Sequence, residues 1–297
     1  MNTIAVESWL PLICPQRQFR DKEGAPNAYV DTNPSLFVDT SGNTTLLIRQ
    51  VNYRKFKDRS FKMGEGHSVS QYHVLRGTYK HKQFHLDWES SADTHTPMPK
   101  YPTYWYGPED IRFVDQHTIL AIYPELSPGG NPRMVLGNID THKTMTFHTL
   151  LEGSDVEKNW MPFTHQGAQL AVYSVSPLTI KPLQLFERTT LHPAPELTGY
   201  HGSTNGISYN GGYLFLIHKY TSKTEHRWLY INMREKTFAF SEPFVFFRYS
   251  YIELPCSLVE LPDGRLATSM GINDDKAMIA ILDTSAVQLC EAFSFSS

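Results

Sequence analysis

The 297-residue chain has only three cysteines, Cys14, Cys256 and Cys290. Their spacing matches no metal-ligand pattern, and an odd number favours reduced thiols over a disulfide framework, so the expected location is cytoplasmic. Charge of one sign is scarce as well: 27 Lys and Arg face 30 Asp and Glu, for a net charge of -3. The one basic run, Tyr79 to Lys82, is soon met by Asp87 and Glu89. Nucleic acid is therefore not an expected partner, because phosphate binding needs a concentrated basic excess. No stretch approaches the roughly 20 apolar residues of a membrane span. The first residues lack a basic segment followed by a sustained apolar one. Long helical periodicity is scarce too.

What the chain has instead is turns. It carries 18 glycines and 19 prolines, which separate short apolar and aromatic runs that read as strands. Five stretches share one plan: a polar cluster, a short strand, a tight turn, a second apolar strand, then polar residues again. They run from Asn33 to Arg54, Pro108 to Leu126, Glu157 to Pro177, Gly202 to Tyr220 and Ile252 to Asp274. Ser41-Gly42-Asn43, Gln166-Gly167, Asn210-Gly211-Gly212 and Asp263-Gly264 supply turn residues that tolerate positive φ. Aligning Phe37, Phe113, Phe163, Ile207 and Val259 gives intervals of 76, 50, 44 and 52 residues. Such spacing fits four-stranded propeller blades and predicts an all-β, five-bladed β-propeller, a single domain with antiparallel blades around a central pocket. A pair of β-sandwiches is the alternative, disfavoured by the regular spacing. The long first interval leaves room for an insertion near Ser90 to Tyr106.

In a hairpin, the start of the first strand and the end of the second lie at the same end of the sheet. Radial closure therefore gathers the polar flanks at one mouth of the channel. Candidate contacts there are Asn33, Arg49, Asn52, Tyr53, Glu109, Asp110, Arg112, Asn159, Trp160, Thr204, Asn205, His218, Glu253 and Asp274, with Lys158 beside them. Carboxylates, amides and guanidinium groups bind hydroxyls, while an aromatic ring covers the apolar face of a sugar. A carboxyl among them supplies acid–base chemistry. No cofactor is called for and no metal, since no His pair or carboxylate cluster has ligand spacing. Each residue also has a plainer reading: Glu109, Asp110 and Arg112 as an ion-pair staple between blades, Trp160 and His218 as core.

The stretch GPEDIRF, Gly107 to Phe113, resembles the Glu-Asp-Pro-Arg motif of glycoside hydrolase family 130, five-bladed propellers that include β-mannoside phosphorylases, hydrolases and related β-1,2-mannosyltransferases. NPSLF, LLIRQVNYR, EKNWMPF, GGYLFLIHKY, YIELPCSLV and SMGIND resemble further blocks of that family in the same order, from about Asn33 to Asp274. The resemblance implies that Asp110 is the general acid, that Arg49, Asn52, Arg112 and Asp274 grip the donor sugar, and that Arg133, Lys158 and His218 form a cationic phosphate subsite. Two departures stand out: Ile111 replaces the motif's Pro, and Tyr173 and Ser174 stand where a further Arg is expected.

The expected function is glycosyl transfer or phosphorolysis on a mannose-like sugar or glycan, with a sugar phosphate or sugar nucleotide as alternative donors. An inverting hydrolase on the same scaffold would need a second carboxylate, for which Glu253 and Glu109 are the candidates. A non-catalytic sugar-binding propeller is the third reading.

Overall fold

Alternation of apolar residues along a strand buries both faces only when a sheet is packed between two others. In Asn43–Val51, Leu46 and Ile48 point to one side and Leu47 to the other, and all three are fully buried. The same double burial recurs in Thr118–Ile122, where Ile119 and Ala121 face one neighbour and Leu120 and Ile122 the opposite one. Sheets stacked face to face in a ring satisfy this pattern. The computed structural model describes residues 2–295 apart from 16, 21–25, 56–60, 64–66, 89–91, 152–155 and 186.

Five antiparallel blades form the ring. The first comprises Val30–Val38, Asn43–Val51, Ser68–Lys80 and Gln83–Asp87. The second comprises Glu109–Phe113, Thr118–Ile122, Met134–Ile139 and Thr144–Leu150, and the third Met161–His165, Ala168–Val175, Leu178–Pro182 and Thr189–His192. In the fourth, both His201–Gly202 and Ile207–Tyr209 pair with Gly212–Tyr220, followed by Thr224–Asn232 and Thr237–Phe240. The fifth takes Glu253–Glu260, Leu266–Ile272 and Lys276–Leu282 from the end of the chain and Ser8–Leu12 from its start. Each expected hairpin supplies the two inner strands of one blade. The five-bladed propeller expected from the repeat is the fold.

Turn chemistry follows the residues. Gln166-Gly167 and Asn210-Gly211 both have positive φ at both positions, as a two-residue hairpin loop of matching twist requires. Apolar clusters fill the spaces between blades. Leu36, Leu46 and Ile48 of the first blade meet Val259, Ala267 and Ile279 of the fifth, with Leu12 of the clasping strand against them.

The extra length in the first interval has two sources. One lies within the first blade, between Asn43–Val51 and Ser68–Lys80, where Tyr53–Lys55 pairs with Phe61–Met63. Between the blades, Asp93–His95 joins the outer edge of the second and Trp105–Tyr106 pairs with Ser68 and Val69; Ser90 lies outside the described residues. Among the described residues no helix is long and apolar enough to cross a membrane.

The ring closes through Ser8–Leu12, whose Leu12 is buried between two blades. Leu12→Ala should cost about 2–4 kcal/mol, read as a lower urea midpoint with an unchanged slope. A midpoint equal to that of the wild type would mean that this strand does not close the ring.

Candidate active site

The inner strands of three blades are interrupted at the same level. Ladder pairing skips between Thr32 and Ser35, between Glu109 and Arg112, and between Pro255 and Ser257. A bulge re-aims a side chain that would otherwise point between blades. Asn33 and Asp110, the first bulge residues of the first two blades, have φ of 39° and 46°. Asn159 and Asp274 share this left-handed backbone at φ of 64° and 54°, at the mouths of the third and fifth blades. Asn and Asp tolerate that region best among residues with a side chain. Clustered strain of this kind accompanies functional sites.

Arg49 ties the bulges together. The residue is 2% exposed. Nε donates to Ser70 Oγ at 2.8 Å, Nη1 to Asp110 Oδ1 at 3.1 Å, and Nη2 to Glu109 Oε1. Asn33 Nδ2 donates to the same Asp110 oxygen at 2.8 Å, while Asn33 Oδ1 accepts from Thr32. Both contacts fall on Oδ1. Among the described residues Oδ2 accepts no hydrogen bond, and the side chain is 15% exposed. Gly271 makes this approach possible, since a Cβ there would stand 2.0 Å from Asn33 Oδ1.

Burial raises the Glu109 carboxyl above its ordinary value against the pull of Arg49, with Asp110 and Asp274 adding to the rise. Burial also pushes the Tyr53 hydroxyl well up, opposed by Arg49 and reinforced by Asp274, Glu109 and Asp110, so it remains a donor at neutral pH. Asn33, Arg49, Tyr53, Glu109, Asp110 and Asp274 are thus one electrostatic group.

A second group faces it. Arg112, fully buried, reaches from the second blade to the fourth, with Nε on Ser203 O and Nη1 on Asp110 O at 3.1 Å; among the described residues its Nη2 has no hydrogen-bond partner. Ser203 Oγ lies 3.1 Å from His218 Nδ1. Cross-strand register then places His201, His218 and His226 side by side. Burial, with His226, His201, Arg112 and Lys158 adding to it, drives the His218 imidazole well below its usual value. Expected as part of a cationic subsite, His218 is instead neutral near pH 7 and can only donate or accept a hydrogen bond.

Other expected residues have different roles. Glu253, 1% exposed, accepts from His226 Nε2 at 3.0 Å, Phe246 N at 2.9 Å, Phe247 N at 2.7 Å and Ser250 Oγ. Burial opposes its charge, yet these donors outweigh it and hold the carboxyl below its ordinary range. With both oxygens engaged it folds the Phe246–Ser250 loop, and the expectation of Glu253 as a catalytic carboxylate is corrected on that ground. Trp160 is completely buried, its indole donating to Glu157 and its ring under Lys181, so it offers no face to a sugar. Asn52 is used up by His67 O and Val69 N, Asn205 by both backbone groups of Leu258, and Thr204 by Leu216 N. Arg133 donates to Leu151 O within the second blade. Lys158 is exposed and Asn159 half-buried at the third blade's mouth. His201 and His226 were not anticipated, although a tight turn centred on Ser222 pairs 218 with 226 by simple counting.

No family model matches the chain, and no curated protein does. Solved structures do match. A mannose phosphorylase from Leishmania mexicana in complex with phosphate aligns over 97% of this chain and 94% of its own, with a TM-score of 0.55 and 10% identity. A putative glycoside hydrolase from Bacteroides ovatus aligns over 95% and 98%, with a TM-score of 0.58 and 10% identity. A GH43 β-xylosidase/α-arabinofuranosidase from a compost microbial metagenome, in complex with xylotriose, aligns over 95% and 98%, with a TM-score of 0.58 and 11% identity. The shared feature is the propeller fold. Identities this low carry nothing finer, because propellers host many chemistries.

His218 gives the site a pH signature. Its unfolded value is 6.5 and its folded value lies well below. Its contribution to stability is complete above about pH 6.5 and is lost as pH falls towards the folded value. The urea midpoint should therefore drop between about pH 7.5 and about pH 5.5, and His218→Gln should shrink that drop. An equal drop in the variant would place the effect elsewhere.

Proposed function

We propose that this chain is a carbohydrate-active enzyme that transfers or cleaves a glycosyl residue in its central pocket, with Asp110 as general acid/base. One observation carries the reading: a strained inner-strand bulge presents Asp110 with one oxygen fixed by Asn33 and Arg49 and the other unengaged. Evolution of a mere blade staple needs no such strain and would use both oxygens. The propeller neighbours named above, a mannose phosphorylase and glycosidases, support the substrate class.

In the proposed reaction a sugar ring lies over Asp110, and Oδ2 delivers a proton to the departing glycosidic oxygen as the bond to the anomeric carbon breaks. Arg49 and Asn33 hold the carboxyl in place, and Tyr53 and Asp274 bind hydroxyls. The nucleophile attacks from the opposite face of the ring. Lys158, with neutral His218 and His201 as hydrogen-bonding partners, forms the side on which a phosphate or sugar phosphate is held electrostatically. We favour phosphorolysis or transfer over hydrolysis because one guanidinium grips both Glu109 and Asp110. These two carboxylates are thereby kept on the same side of the pocket, where neither can activate water across the ring.

Purified protein incubated with mannose-1-phosphate, or with GDP-mannose, and mannooligosaccharide acceptors should yield an extended glycan by mass spectrometry. Asp110→Asn should reduce product at least about 100-fold while leaving the melting temperature within a few degrees. Wild-type turnover in that variant would remove Asp110 from the mechanism. Lys158→Ala should weaken use of the phosphorylated donor more than binding of neutral mannose; equal losses would contradict its assigned subsite.

A further inference from the structure

A groove of about 670 Å³ opens between the fifth and first blades, outside the polar cluster around Asp110. Its floor is apolar, with Leu12, Val30, Ile272 and Ala277. Tyr249 stands at its rim with 89% of its surface exposed, and Arg248 beside it has its guanidinium 5.9 Å from the ring centroid. Phe247 anchors this loop by packing on Trp9 with ring centroids 4.2 Å apart. An aromatic ring presented to solvent on an anchored loop is a platform in want of a flat apolar face.

The groove and the polar cluster around Asp110 meet at one turn of the fifth blade. In the turn after Leu266–Ile272, Asn273 lines the groove while the next residue, Asp274, acts on Glu109 and Tyr53. Asn273 Oδ1 accepts from Tyr251 N and Ile252 N, both at 3.1 Å, which couples the Tyr249 loop to this turn.

Charge points to the kind of ligand. Arg248 and Lys276 are balanced in the groove by Asp31 and Asp275. Asp31 is committed to Cys14 N at 2.9 Å and Gln50 Nε2 at 2.8 Å. A nucleotide or an anionic surface would meet no net positive field. A neutral, hydroxyl-rich chain suits a mixed rim, and the volume falls in the roughly 300–1,000 Å³ range of small-molecule pockets.

We propose that this groove is an extension subsite for a neutral oligosaccharide whose terminal residue occupies the central pocket. The inference rests on the carbohydrate reading of that pocket and adds that the substrate is a chain, not a single sugar. Calorimetric titrations with mannose, mannotriose, xylose, xylotriose and GDP-mannose test it on the wild type and on Tyr249→Ala, whose exposed side chain can be removed without disturbing the core. One trisaccharide should bind at least about tenfold tighter than its monosaccharide, and Tyr249→Ala should abolish that gain while leaving the monosaccharide unchanged. Equal affinity for short and long sugars, a gain that survives in Tyr249→Ala, or no binding of any saccharide overturns the proposal. So does tighter binding of GDP-mannose that depends on Tyr249. The two readings fail separately: a Tyr249-dependent gain without Asp110-dependent turnover keeps the groove and removes the enzyme, whereas turnover with chain binding indifferent to Tyr249 does the reverse.

Discussion

A guanidinium removed from water must meet counter-charge or cost several kcal/mol, and Arg49 is buried at the axis of a ring of apolar blades. Glu109 and Asp110 provide that charge from the neighbouring blade, and Ser70 takes the remaining donor direction. The arrangement works only if Asp110 leaves the plane of its own strand, which it does through a bulge in left-handed conformation. Asn33 on the adjacent blade makes the same departure and meets the same carboxylate oxygen. Backbone strain, burial and ion pairing therefore depend on one another, and their joint product is a carboxylate oriented by two donors on one oxygen.

The rest of the propeller serves this centre by being stiff. Five interblade cores fix the angular position of each inner strand, and Ser8–Leu12 closes the ring as the outer strand of the last blade. Polar staples do the fine positioning near the mouth. Asn205 clamps the backbone of Leu258, Ser257 accepts from Leu36 N, and Glu253 organises the Phe246–Ser250 loop. Asn273 joins the chain just after that loop to the turn that carries Asp274.

The repeat made the fold legible. Spacing, turn residues and two-sided apolar strands are local properties, and each expected hairpin became the inner pair of a blade. The candidate site was legible only in part. Asn33, Arg49, Glu109 and Asp110 meet as expected, because their places near strand ends fix where they converge. Asn52, Thr204, Asn205 and Glu253 occupy comparable ends, yet backbone groups of other strands and loops, and for Glu253 also the His226 and Ser250 side chains, engage their polar atoms, and those partners leave no trace in the strand pattern. Trp160 misleads for a similar reason: its indole satisfies Glu157 three residues away, a contact that sends the ring inward. His226 escaped notice because its importance comes from pairing across a hairpin with His218 and across a blade boundary with Glu253.

The central claim is that the unengaged oxygen of Asp110 faces a sugar. A crystal structure of the protein grown with saturating mannose and inorganic phosphate tests it most directly. The account predicts a pyranose ordered over the bulges of the first two blades, with a hydroxyl or glycosidic oxygen within hydrogen-bond distance of Asp110 Oδ2. An axis that stays free of sugar, or a sugar bound with Asp110 turned wholly to Arg49 and Asn33, would contradict it.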